Sequence, residues 1–348
     1  MILKVILGTL CISFFIVLII SCFLFKIKIN IVFEKINIIL AKIYILKGDT
    51  KNAKKRLNII LQKNEENKEA HKMLGQLYEK EGGSRKAIEE YIKVVDLDCN
   101  AYDSYYRIAV LLNDLGNVEG SQEMLTTLVN KRPNYLEASI ALSDLLCKQE
   151  RYKEALSVMN DALKNSSPNF ELYYNLGMIY TLLNDFSSAK LFYEKAAIVN
   201  IMERDSDYNI GMIELILGEL EEAEKKFFMC IDDNDISAYS YYQLAKIYIL
   251  RQDKDTAIKY LNISIELNYI LYKKAMEETI FNSIKGYISY PSIDEEDMEE
   301  KKEKNQKNAI IREHLEDTYN LVGKLNYREM GNKYNIERNE SEEKEIID

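Results

Sequence analysis

The sequence predicts an all-α chain, an amino-terminal transmembrane helix followed by an α-solenoid of helix pairs. Three observations predict it. The 348 residues include only 3 Pro and 13 Gly, against 47% hydrophobic and 29% charged, so helix breakers are scarce. Residues 5–25, VILGTLCISFFIVLIISCFLF, carry no charge. One short stretch also recurs at a fixed interval: YYRIAVLL from Tyr105, YYNLGMIY from Tyr173, DYNIGMIE from Asp207 and YYQLAKIY from Tyr241. These starts are 34 residues apart or twice that, a period that means a helix-pair repeat.

The first element is 1–26. At ~1.5 Å per residue, 5–25 would span about 30 Å, the thickness of a bilayer core. Lys4 precedes it, and Lys26, Lys28, Lys35 and Lys42 follow, so the positive-inside rule places the later residues in the cytoplasm. The expectation is a single-pass membrane anchor. Ile19-Ile20-Ser21-Cys22 resembles a bacterial lipobox, which leaves lipid attachment at Cys22 and an extracytoplasmic chain as the alternative. Phe23-Leu24-Phe25 follow that cysteine, where a polar tether would be usual. A bacterial source is expected. Outside the span, Cys99, Cys147 and Cys230 are odd in number and far apart, so no disulfide framework is expected. A net charge of −10 argues against nucleic acid as partner.

Seven units follow, at 34–67, 68–101, 102–135, 136–169, 170–203, 204–237 and 238–271. Position 7 of each is aliphatic: Leu40, Leu74, Ile108, Leu142, Leu176, Ile210 and Leu244. Position 8 is small: Ala41, Gly75, Ala109, Ser143, Gly177, Gly211 and Ala245. Position 20 is small again: Ala53, Ala87, Ser121, Ala155, Ala189, Ala223 and Ala257. Position 24 is bulky: Leu57, Tyr91, Leu125, Met159, Tyr193, Phe227 and Leu261. Small residues let two helices approach, and bulky ones fill the space around that contact. One unit cannot bury its apolar face alone, so neighbours must stack. Gly48, Gly82, Gly116 and Gly218 fall between the two helices of a unit, where a left-handed residue can end the first.

This pattern resembles the tetratricopeptide repeat (TPR) family over residues 34–271. Leu74-Gly75, Tyr78, Gly82, Ala87 and Tyr91 fit the family's pattern, as do Tyr173, Leu176-Gly177, Tyr180, Ala189, Tyr193 and Ala196. Ser139, Glu150 and Glu214 depart from it, and Pro133 alone occupies the usual proline position. The resemblance implies a TPR superhelix with a concave inner surface formed by the first helix of each unit. It also implies that positions 2, 5, 6, 9, 12 and 13 face that groove.

The array is expected to be closed at both ends. The first unit opens with EKINIILAKIYILK, very apolar for a terminal repeat, and a membrane-abutting cap is the preferred reading. Residues 272–291 form a capping helix, with Met276, Ile280, Phe281 and Ile284 at helical spacing and Pro291 closing it. A charged linker covers 292–305. Ile310, Ile311, Leu315, Leu321, Val322 and Leu325 predict an amphipathic helix at 306–330, available to dock on the array or to self-associate. The tail, 331–348, is expected to be disordered.

No sequence motif announces catalysis. There is no Walker loop, HExxH, GxSxG or CxxC, and His71 and His314 are the only histidines. His71, at position 4, is expected to pack in the core. Gly82-Gly83-Ser84 is an inter-helix turn and not a phosphate cradle. No enzyme, metal or cofactor is expected. The candidate site is the groove implied by the resemblance. It is lined by Tyr106 and Arg107, then Tyr174, Asn175 and Met178, then Tyr208, Asn209 and Met212, then Tyr242, Gln243 and Lys246. Aromatic, amide and thioether side chains in series suit an extended peptide or a partner helix. The expected function is therefore a membrane-anchored scaffold that recruits protein partners. The alternatives are an exported lipoprotein acting in envelope assembly, or a regulatory sensor binding a small ligand or peptide.

Overall fold

The computed structural model describes residues 25, 26, 28–233 and 236–289. All regular structure among them is helical. Helix α1 covers 28–46; α2 is Thr50–Leu61, α3 Lys68–Lys80, α4 Ser84–Leu97, α5 Tyr102–Asp114, α6 Val118–Lys131 and α7 Leu136–Lys148. Then come α8 Tyr152–Asn165, α9 Phe170–Leu182, α10 Phe186–Val199, α11 Asp205–Leu217, α12 Leu220–Phe228, α13 Ser237–Leu250, α14 Lys254–Leu267 and α15 Ile270–Glu277. Odd-numbered helices up to α13 are the first helices of the units, and the even-numbered ones are the second. The chain divides into two compact units, up to Leu142 and from Ser143, with the division inside α7.

The turn between the two helices of each unit is the same seven times. Position 15 is left-handed at Gly48, Gly82, Gly116, Glu150, Asn184, Gly218 and Gln252, with φ between 59° and 78°. The next residue, at position 16, returns its N–H to the carbonyl of position 11: Gly83 to Tyr78 at 2.8 Å, Asp185 to Tyr180 at 2.9 Å, Asp253 to Tyr248 at 2.9 Å. This satisfies a carbonyl left over at the end of the first helix. Position 16 then starts the second helix. Asp49, Asn117, Asp185 and Asp253 accept an N–H from the first turn through their side chains.

Within a unit, position 8 packs on position 24. A Cβ built on Gly75 would lie 2.8 Å from the Tyr91 ring, one on Gly177 2.7 Å from Tyr193, and one on Gly211 3.0 Å from Phe227. The aromatic rings therefore occupy the space that a methyl group would take. In the four units with Leu or Met at position 24, position 8 is Ala or Ser. Small size at this position serves the partner ring as much as the approach of two backbones.

The expected capping helix at 272–291 is instead broken. Helix α15 stops at Glu277, Glu278 is extended at φ −72° and ψ 130°, and two short 3-10 turns follow, Thr279–Phe281 and Lys285–Tyr287. The break seats Phe281 and Ile284, both fully buried, against Tyr242, Ala245 and Leu261. Burying a Phe side chain contributes about 1.5–3 kcal/mol, more than a turn of helix at β-branched Thr279-Ile280 would.

The expectation of a membrane-anchored, single-pass protein is corrected. Among the described residues no helix is long and apolar enough to cross a membrane, and α1 is interrupted by Lys28, Lys35 and Lys42. Residues 5–25 and Cys22, on which that expectation rested, lie outside the described residues, as do 292–305, 306–330 and 331–348. The terminal repeat does leave apolar side chains open on α1, among them Val32, Ile36, Ile39 and Leu46.

Candidate functional site

The first unit presents an open concavity of about 520 Å³ on its first-helix face. Lys72, Gln76, Glu79 and Lys80 of α3 line it, with Asp103 and Arg107 of α5. These are positions 5, 9, 12 and 13 of one repeat and 2 and 6 of the next. Opposite charges cross it: Lys72 Nζ lies 3.0 Å from Asp103, and the Arg107 guanidinium pairs with Glu79, its Nε 3.1 Å from Oε2. The buried Tyr91 hydroxyl also donates to Glu79, at 3.0 Å. Glu79 thus joins the core ring to the groove arginine. Tyr106 is half-buried and lies 5.8 Å from the Tyr135 ring. Lys72, Gln76 and Lys80 are site candidates that sequence reasoning passed over, although the same repeat frame singles them out.

The second unit is different. Tyr174 and Asn175 are half-buried, but Met178, Tyr208, Asn209, Met212, Tyr242, Gln243 and Lys246 are all buried. A polar ladder ties successive first helices together. Asn209 Nδ2 donates to the Tyr174 hydroxyl at 3.1 Å, and Gln243 Nε2 donates to the Tyr208 hydroxyl at 3.2 Å. Each rung joins position 5 of one repeat to position 6 of the next. Tyr208 stands edge-on to Phe227, and Tyr242 edge-on to Phe281. Lys246 is 2% exposed, with Nζ 2.8 Å from Glu278 and over the Tyr242 ring. It ties α13 to the segment after α15.

Other candidate groups are structural. His71 is buried, with Nδ1 2.6 Å from Glu90 and Nε2 2.8 Å from the Glu65 carbonyl oxygen. It clips α3 to α4 as well as packing. Burial, reinforced by Asp144, pushes the Cys147 thiol up to about 12, and burial does the same for Cys230. Neither is a nucleophile at neutral pH. Burial also raises the Asp144 carboxyl to about 6, against a smaller opposing effect of Lys148. Among the described residues no group of three or more His, Cys, Asp or Glu could hold a metal ion.

Two tetratricopeptide repeat models match the chain, one at 106–170 and the other at 170–197 and 238–269. The human Protein O-mannosyl-transferase TMTC3 is 22% identical over 197 residues, 51% of this chain and 22% of that protein. The transferase activity in that name belongs to that protein. The chain spans about a fifth of the length of the curated relatives it matches. Among solved structures, the C-terminal part of a TPR repeat-containing protein from Cytophaga hutchinsonii is similar at a TM-score of 0.56 and 11% identity. It covers 66% of this chain and 95% of its own. A tetratricopeptide repeat protein from Parabacteroides merdae gives 0.51 and 15%, covering 68% and 94%. The fold is that of a TPR array. The matched repeats are a non-catalytic interaction module, and the expectation of a non-enzymatic protein stands on that match.

Proposed function

We propose that this protein is an interaction scaffold whose first-helix face holds a segment of a protein partner. The observation that carries this reading is the open concavity of the first unit, lined by repeat positions 2, 5, 6, 9, 12 and 13. An extended peptide fits such a surface. Gln76 offers both a donor and an acceptor to a peptide backbone, and Lys72, Lys80 and Arg107 flank it with positive charge. In this reading Tyr106 and Arg107 contact the partner in the first unit, with Tyr174 and Asn175 as the accessible candidates in the second. Met178, Tyr208, Asn209, Met212, Tyr242, Gln243 and Lys246 form the floor of the second face.

The test is crosslinking and capture of partners by the intact chain, compared with a Gln76→Ala/Tyr106→Ala/Arg107→Ala variant. None of these three side chains is fully buried, so the fold should persist. Loss of most captured partner from the variant is the expected result. Unchanged capture would reject the face as the contact surface. Tyr208→Ala or Tyr242→Ala would not serve here, because each also removes packing against a buried ring.

A further inference from the structure

The first-helix face of the second unit is covered more completely than its own helices explain. In the first unit the same repeat architecture leaves positions 9 and 13 open: Gln76, Lys80 and Asp114 are exposed. In the second unit the equivalent Met212, Ile216, Lys246 and Leu250 are 4%, 3%, 2% and 1% exposed. Chemistry changes with burial. Positions 9, 12 and 13 of α11 are Met212, Leu215 and Ile216, whereas α3 has Gln76, Glu79 and Lys80. A helix that is apolar all round is one covered all round. Gln243, 2% exposed, has an Oε1 with no hydrogen-bond partner among the described residues, so the cover must bring a donor there.

We propose that residues 306–328 of this same chain are that cover, lying as a helix across the first-helix face of the second unit. The inference rests on reading that face as a binding surface. The place where the chain leaves the described residues favours it. Ile288 packs on the cluster around Tyr242, and the Ser289 N–H donates to Asn262 of α14 at 3.2 Å. Residues 290 onward therefore start beside the covered helices. The charged stretch 292–305 reaches up to about 50 Å when extended. The amino-terminal apolar segment, by contrast, leads into the first unit.

Size and chemistry also fit. As a helix, 306–328 would be about 35 Å long. Three neighbouring first helices at 8–10 Å spacing present a face of roughly 30 Å. Ile311, Leu315, Tyr319, Val322 and Leu325 recur every three or four residues and give one apolar stripe. Tyr319 and Asn320 supply donors for the Gln243 oxygen. A partner segment would then bind the second unit only by displacing the chain's own.

Methionine oxidation by hydrogen peroxide in the full chain, without any partner, provides the test. Met159 is fully buried in the core, Met202 is 85% exposed, and Met212 lies under the proposed cover. In the native chain Met212 should oxidise nearly as slowly as Met159. In a Leu315→Asp/Val322→Asp variant it should oxidise roughly tenfold faster or more, while Met159 stays slow. An unchanged Met212 rate overturns the proposal. So does parallel acceleration of Met159, which would make the segment part of the folding core and not a cover. A photo-crosslinker at Tyr319 (Tyr319→p-benzoylphenylalanine) gives a second, milder reading. Expected is a crosslink to 170–250 within one chain. A crosslink at dimer mass, one to the first unit, or none at all overturns the proposal. Both readouts are independent of partner capture, so failure here leaves the scaffold reading standing.

Discussion

Gly177 illustrates how a repeat position encodes a contact. Its missing Cβ is the space in which the fully buried Tyr193 ring sits. Gly177→Ala should destabilise by about 1–3 kcal/mol, because the ring has nowhere to move. Adding Tyr193→Leu should recover part of that loss, since Ala at position 8 with Leu at 24 is the pairing of Ala109 with Leu125 and Ala245 with Leu261. A double-mutant cycle by urea unfolding measures the coupling; purely additive effects would disprove the pairing. The left-handed turns give a prediction of opposite sign. Glu150 and Gln252 hold φ of 59° and 63° with a Cβ that opposes it. Glu150→Gly or Gln252→Gly should stabilise by about 0.5–1 kcal/mol each, after the entropy of glycine is subtracted, read as a higher urea midpoint. Asp144 adds a pH dependence. Its folded value near 6 is above the ordinary 3.8, so its contribution is fully present below about 3.8 and lost as pH rises through about 6. Asp144→Asn should remove up to about 2 kcal/mol of that fall, seen by comparing urea midpoints at low and neutral pH.

At the scale of elements, helix starts, stops and pairings were readable from sequence because each has a local cause. The repeat frame located the four turn glycines, and the same column contains Glu150, Asn184 and Gln252, which adopt the conformation without being glycine. Local signals could not show the break after α15. Met276, Ile280, Phe281 and Ile284 have helical spacing, yet burial of Phe281 and Ile284 on α13 and α14 requires an extended residue at Glu278. Lys246 was read as a groove residue for a similar reason: position 9 fixes the direction of a side chain, not what later folds onto it. Lys246→Ala should leave Glu278 unpaired and loosen 270–289, so amide exchange there should speed up while α9 and α10 hold. Equal acceleration in all of these helices would contradict a local strut.

For the whole molecule, repeat arrays gain stability from each unit and from its neighbours only. The Gly177→Ala change should therefore weaken amide protection most in residues 143–289 and least in the first helices of the first unit. A uniform loss along the chain would refute this. The sequence made the array legible because the same physical demands recur every 34 residues. It left the character of the two candidate faces unread, because Tyr174, Tyr208 and Tyr242 look alike by position. Only packing separates a half-buried Tyr174 from a fully enclosed Tyr242.

The rungs between successive first helices carry a consequence for how such a gene can change. Each joins a tyrosine at position 5 to an amide at position 6 of the following repeat. Removing codons 204–237 in one step would bring Tyr174 opposite Gln243, two side chains able to form the same bond. Duplicating that unit would place Tyr208 opposite a copy of Asn209. Loss or gain of a whole period leaves every rung paired, while a change of a few codons orphans one. The array is thus built so that its length can drift by unequal crossover without paying in buried polar groups.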